Sequence, residues 1–271
     1  MMKNNTLKRT ARRKNTFWAW LMIILGAVYF LVPLYATFEF SLRERRGEYS
    51  FDSYGNVLGD ARFRDSFTYS VLLALATIAL SLVLIVPTAF WVHLKLPKLR
   101  PVIEFITLLP FVVPPIVLVF GLIRIYSAPP FVLVGSPALL VAGYVVLSFP
   151  YMYRAVDTGL RAIDVRSLTE AAQSLGANWF TILVRVIFPN LRVALLNGAF
   201  LTFAIVLGEF TMATMLNWPA FGPYLALIGQ NRAYEPAALA ILSFGLTWIC
   251  VGLIQLFSRG SQDQSQLAGT H

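Results

Sequence analysis

The chain has 271 residues, of which 58% are hydrophobic and 13% charged, with a formal net charge of +9. A soluble domain carries about 25% charged residues, so this composition excludes an ordinary globular enzyme or binding module. Apolar runs of about 20 residues alternate with short polar segments, the pattern of a polytopic helical membrane protein; no β-barrel alternation is visible.

Residues 1–16 carry Lys3, Lys8, Arg9, Arg12, Arg13 and Lys14 without an acid. This is a topogenic tail held near anionic headgroups rather than a nucleic-acid arm. The first span is expected at 17–39, with Trp18 and Trp20 at one interface and Tyr35 and Phe38 near the other. It is too long, and lacks a small-residue exit site, for a cleaved signal. A mixed-charge loop follows at 41–66, then a second span at 67–92 and a short basic loop with Lys95, Lys98 and Arg100. The third span, 102–126, contains Pro110, Pro114 and Pro115. A Pro-rich loop at 127–137 leads to a fourth span at 138–153 and a polar segment at 154–192. The fifth span is expected at 193–216, a loop at 217–235 and the sixth span at 236–257.

Six spans put both termini on one side of the bilayer. That side holds 15 Lys and Arg: six in the tail, three at 93–101, five at 154–192 and one after the last span; the other side holds 6. The bias places both termini and the 154–192 segment in the cytoplasm, and it explains the net charge without nucleic acid. The expected fold is therefore all-α. A basic cytoplasmic tail (1–16) precedes a six-helix transmembrane domain (17–257) and a polar cytoplasmic tail (258–271), with the lipid bilayer as an obligatory partner.

Within the polar segment, Ser167 and Glu170 have the S-x-x-E spacing of a capping box that starts a helix. Gly176 can take the left-handed conformation that ends one. Asn178 can cap a second helix, which Pro189 would interrupt. Leu168, Ala171, Ala172 and Leu175 share one face of the first helix; Trp179, Ile182, Leu183 and Val186 share one face of the second. The residues alone leave two readings. The pair lies on its own bundle or on lipid, or it presents its face to a partner.

Glu170, Ala171, Ala172, Gly176 and Pro189 match the spacing E-A-A-x3-G-x9-I-x-L-P, with Val186 in place of Ile and Phe188 in place of Leu. On this spacing the chain resembles the membrane subunits of ABC-type importers that use an extracellular binding protein. The stretch 51–71, with Tyr54, Leu58, Phe63 and Ser70, is similar to that family's first external loop and second span. Leu109-Pro110 with Pro114-Pro115 resembles the L-P-x3-P segment of its polyamine, ferric-iron, sulfate and phosphonate permeases, and Gly208-Glu209-Phe210 a G-E-F seen in several of them.

The resemblance implies a pore-forming permease subunit of the bacterial cytoplasmic (inner) membrane, paired with a second permease, homologous or identical. It implies two ATPase subunits holding ATP and Mg, and a binding protein delivering a small solute. A polyamine-like cation comes first, with ferric iron, a sulfate-like oxyanion or a phosphonate as alternatives. It also makes Glu170, Ala171, Ala172, Gly176 and Pro189 an ATPase-docking element, the small alanines admitting a partner surface. Glu170 either caps the Ser167 amide or also pairs with a basic group on the partner.

Glu209 is the carboxylate lying well inside an expected span. It either lines the translocation path, with Gly208 and Phe210, or is tied by hydrogen bonds as a structural group. Pro110, Pro114 and Pro115 make either a broken helix beside the path or a packing kink. Gly143, Gly198 and Gly208 are expected to permit close helix contact. The external 218–224 loop touches the binding protein, plugs the outer mouth or forms an interface belt. With two histidines, His93 and His271, no metal site and no catalytic residue are expected, nor a cofactor bound by this chain. No Walker loop is present, and the single Cys250 excludes an intrachain disulfide. The alternative from another class is a six-helix membrane enzyme or scaffold that uses the loop for packing.

Overall fold

The computed structural model describes residues 3–45, 48–249 and 252, with residues 3–16 described by backbone alone. Cys250, His271 and the tail expected at 258–271 lie outside the described residues. Among the described residues the regular structure is helical throughout. In chain order the helices are α1 (Lys3–Ser41), α2 (Asp52–Gly59), α3 (Ala61–Leu94), α4 (Arg100–Val112), α5 (Pro115–Tyr126), α6 (Pro137–Arg161) and α7 (Val165–Ser174). Then come α8 (Trp179–Asn190), α9 (Arg192–Gly208), α10 (Thr211–Met215), α11 (Phe221–Asn231) and α12 (Glu235–Ile249). The described residues form two compact units, those within 3–59 together with 228–244, and 60–227 together with 245–249 and 252.

In the first unit the expected basic tail and first span are one helix. Its apolar part, Phe17–Ser41, is 25 residues long and exposed along its most apolar stretch, as a lipid-facing span should be, with Ser41 buried at its end. The loop expected at 41–66 is structured, because its charges find local partners. Glu44 accepts from Ser53 Oγ at 2.6 Å and Asn56 Nδ2 at 2.7 Å, and Arg45 pairs with Asp52. Together these hold α2 in place.

The second unit is built on α3, α6 and α9. α3 begins six residues before the expected second span because Asp60 caps it, accepting from the Arg62 amide at 2.9 Å. Two apolar clusters fill the space between these helices. One joins Phe90, Met152, Val156, Leu160, Ile187 and Leu195. The other joins Leu73, Val119, Tyr144, Val206 and Met212. Ser81 and Ser148 share a buried hydrogen bond of 2.8 Å from α3 to α6. Small residues set the α6–α9 approach. A Cβ on Gly198 would lie 2.8 Å from Met152 Sδ, and one on Gly159 would lie 2.6 Å from Ala194 Cβ. A Cβ on Gly143 would likewise meet Met212, but one on Gly208 would meet nothing within 4 Å, against expectation.

Among the described residues three helices are each long and apolar enough to cross a membrane, or up to five if each bent pair is one span. The third expected span is a bent pair, and the apolar part of the fifth stops at Gly208, at whose start α8 and α9 meet at 79°. The sixth corresponds to α12, which runs to the edge of the described residues. The fourth span does not end at residue 153; α6 continues to Arg161. The expected loop at 217–235 contains α11. Its aromatic start packs on the first turns of α3. Trp218 stacks on Tyr69, the Phe221 amide donates to Ser70 Oγ at 2.8 Å, and Tyr224 Oη donates to Asp60 at 3.3 Å.

Candidate functional site

The α7–α8 element starts at Asp164. Its Oδ1 accepts from the Ser167 amide at 3.1 Å and its Oδ2 from Ser167 Oγ at 2.7 Å. The expected capping box is therefore absent, and α7 begins at Val165, before Ser167. A carboxylate accepts more strongly than a hydroxyl at the positive end of a helix, so Asp164 takes the cap. The Ser167 hydroxyl, then the Ser167 amide, hold the Asp164 carboxyl below its ordinary range. Glu170 is left exposed and pairs one turn back with Arg166 at 2.8 Å.

Gly176 does end the helix as expected, at φ +79°. Its amide donates to Gln173 O at 2.9 Å, and the Ala177 amide donates to Ala172 O at 3.0 Å, the paired bonds of a left-handed exit. Asn178 caps the next helix through the Thr181 amide at 2.8 Å.

Starting α7 at Val165 changes which face is buried. Val165, Thr169 and Ala172 turn inward, with Leu168 half-buried, a stripe at three-to-four spacing. The expected face of Leu168, Ala171, Ala172 and Leu175 is thus split. Ala172 belongs to the core, whereas Ala171 is exposed and Leu175 is 89% exposed. Across the turn Phe180 is 74% exposed. On α8, Ile182 is buried and Leu183 and Val186 pack beneath it as expected, while Trp179 meets Trp91 of α3 at 4.9 Å.

Pro189 does not end α8. It cannot donate a backbone bond, and its ring crowds the carbonyl four residues back. A wider π turn at Ile182–Ile187 precedes it, and the helix runs on to Asn190 before the chain bends into α9.

The prolines of the third span make a true break. Proline forces the residue before it out of the helical region. Val113 is extended (ψ 113°), Pro114 follows at ψ 141°, and Pro115 opens α5, so α4 and α5 meet at 100°. Pro110 lies half-buried within α4.

Glu209 stands at a second break. α9 stops at Gly208, and the buried Glu209 carboxylate accepts from the Met212 amide at 2.8 Å, the Ala213 amide at 3.2 Å and Tyr144 Oη at 3.1 Å. Of its two readings, the structural tie is the one these bonds describe. Phe210 beside it is 46% exposed. The two breaks meet in one apolar cluster through Val119 of α5 and Met212 of α10.

Sequence reasoning missed a second buried carboxylate, Asp157 of α6, which was assigned to the polar segment. It accepts from Arg100 Nη2 at 2.9 Å and Arg161 Nε at 2.9 Å, and Glu104 accepts from Arg161 Nη2 at 2.9 Å. Arg100 also pairs with Glu104, one turn on in α4, at 3.2 Å. The signal was legible: Arg100/Glu104 and Asp157/Arg161 are both four-residue pairs of opposite charge.

Residues 85–260, which hold both the α7–α8 turn and the Glu209 break, match the family described as the binding-protein-dependent transport system inner membrane component. The chain belongs to this family. The resemblance carried by the Glu170-to-Pro189 spacing is borne out, and this inner membrane component is a multi-pass membrane protein. It is 29% identical over 199 residues to the spermidine/putrescine transport system permease protein PotB of Haemophilus influenzae, covering 65% of this chain and 67% of PotB. It is also 29% identical over 211 residues to the probable ABC transporter permease protein y4fN of Sinorhizobium fredii; that match covers 72% of this chain but 36% of y4fN, so the chain spans about a third of that relative. Among solved structures, a bacterial ABC transporter involved in alginate import shares the fold, with a TM-score of 0.67 at 19% identity over 91% of this chain and 97% of the other.

Proposed function

We propose that this inner membrane component forms half of the translocation pathway of an ATP-driven importer. Its α7–α8 turn is the seat for a cytoplasmic ATPase. One observation carries the reading: within the matched family region, Ala171, Leu175 and Phe180 stand exposed around a rigid left-handed turn at Gly176. Exposed apolar side chains on a polar cytoplasmic segment fit a partner surface, and the positive-charge bias of the sequence supports the cytoplasmic side.

In this reading two ATPase subunits hold ATP and Mg, a second permease, homologous or identical, completes the pathway, and a binding protein delivers cargo. ATP binding closes the ATPases and draws the two α7–α8 turns together, a rigid-body motion that alternates access. The cargo favoured is a polyamine-like cation, on the likeness to PotB. Ferric iron, sulfate-like oxyanions and phosphonates follow from the same sequence resemblance.

The test is purification of the tagged chain from its own membranes. An ATPase subunit in fixed proportion supports the reading, and its absence removes it. Uptake of radiolabelled spermidine, against sulfate and ferric iron, by vesicles holding the complex and its binding protein then decides the cargo.

A further inference from the structure

We propose that Asp157 is a positioning residue. It latches α4 to the end of α6 that carries α7, so that movement of the α7–α8 turn reaches the broken α4–α5 helix through this carboxylate. The inference rests on the proposed function for the origin of that movement; the latch itself rests on geometry.

Asp157 is 5% exposed, yet three helices bring charge or imidazole to it. Arg100, the first residue of α4, donates to both of its oxygens at 3.0 and 2.9 Å. Arg161, one turn on in α6, donates at 2.9 Å. His93, in the last turn of α3, holds Nε2 at 3.6 Å. Glu104 of α4 is shared by Arg100 at 3.2 Å and Arg161 at 2.9 Å. Two carboxylates and two guanidinium groups thus cross-link α4 and α6 with directional bonds.

Apolar packing also holds α4, through Ile103 and the edge-to-face contact of Phe111 with Tyr151, but buries little of it. Thr107 is its one buried residue, and Phe105, Phe111 and Val112 are 66%, 59% and 76% exposed. Two clefts separate α4 from α6. One of 420 Å³ lies between Glu104 and Thr107 on one side and Tyr153 and Asp157 on the other. The second, of 560 Å³, is lined by Leu108 of α4, Ala155 and Thr158 of α6 and Asn197 of α9, beside the edge-to-face contact of Phe111 with Tyr151 at 5.3 Å. α4 is therefore an arm, with a 100° joint at Val113–Pro114 and a charged latch at its other end.

The opposite side of the latch is rigid. Val156 and Leu160, which flank Asp157, share one apolar cluster with Val165 and Ala172 of α7, and residues 162–164 alone connect the two helices. α7 and this end of α6 move as one body. Asp157 is the point where that body grips α4.

The test uses the full chain in lipid nanodiscs on a Cys250→Ser background, with spin labels at the exposed Val102 of α4 and Thr158 of α6. The unsubstituted latch should give a narrow distance distribution. Asp157→Asn should broaden it, and Asp157→Glu should narrow it again. In the complex with its ATPase, ATP and vanadate should shift the distance, and Asp157→Asn should lose that shift while still binding the ATPase. A distribution and a shift unchanged by Asp157→Asn overturn the proposal. If that variant does not fold, Arg100→Gln, whose side chain is 27% exposed, cuts the same latch from its accessible side and is read in the same way. Absence of any ATPase partner would sink the proposed function, while the nanodisc distances would still decide the latch.

Discussion

Gly222 lies against the backbone of Glu209: a Cβ added to it would sit 2.3 Å from the Glu209 carbonyl oxygen and 3.1 Å from Phe210 Cα. The start of α11 thus backs directly onto the break that follows α9. This close approach accounts for a glycine at a position that the sequence marks only as part of a loop.

Gly222→Ala should therefore destabilise the protein by about 1–3 kcal/mol, because the obstructing atoms are backbone and cannot swing aside. Gly208→Ala, at an open position in the last turn of α9, should be neutral or slightly stabilising. Thermal unfolding of the two variants in detergent checks the contrast. Equal melting temperatures would contradict the close approach.

Glu209→Ala should leave the Met212 and Ala213 amides and Tyr144 Oη without their acceptor, at about 1–3 kcal/mol for each group left unpaired. Glu209→Gln keeps an acceptor oxygen and should cost less. Tyr144→Phe removes one bond and should cost about 1 kcal/mol. Unfolding measurements on the three variants, with the double variant Glu209→Ala/Tyr144→Phe less than additive, test the tie.

Ala171 and Ala172 should behave differently despite their adjacency. Ala172→Trp places a large ring in the core beneath α7 and should destabilise the chain itself, by about 1–3 kcal/mol or more. Ala171→Trp and Leu175→Arg change exposed positions, so they should leave melting unchanged and remove ATPase co-purification. Retained co-purification in both would count against docking at this turn.

Gly176→Pro should insert into the membrane normally and lose ATPase activity stimulated by the binding protein. Proline cannot adopt φ +79°, and it removes the amide that donates to Gln173. Stimulated hydrolysis at the normal rate in reconstituted complex would contradict this.

The Asp164 cap should show a defined acid dependence. Its folded pKa lies below the unfolded value of 3.8, so its contribution is complete above that value and lost as pH falls through the lower folded one. Protection of the Ser167 amide, measured as its exchange rate relative to the intrinsic rate at each pH, should hold from neutral pH to about 4 and fall below it. Asp164→Asn keeps an acceptor without a charge and should abolish that dependence.

Membrane insertion and helical class could be read from the chain because they depend on composition and run length alone. The Glu170-to-Pro189 spacing carried the family because it records a local turn, and Gly176 and Asn178 act as that spacing implies. Side-chain facing was less legible. A shift of α7's start to Val165 rotates the helix and moves Ala172 inside while Ala171 stays out. That start depends on Asp164 rather than Glu170 taking the Ser167 amide, a contest between neighbours that spacing cannot settle.

Partners distant in the chain were decided by tertiary structure. Asp157 looks like an ordinary polar residue after a span until Arg100 of α4 is brought to 2.9 Å, and nothing in the spacing pairs Glu209 with Tyr144, 65 residues away, whose Oη donates to it at 3.1 Å. Hydropathy reports the cost of placing such a group in lipid, but not whether that cost is met. Only the packing of α4, α6 and α10 supplies the donors that meet it.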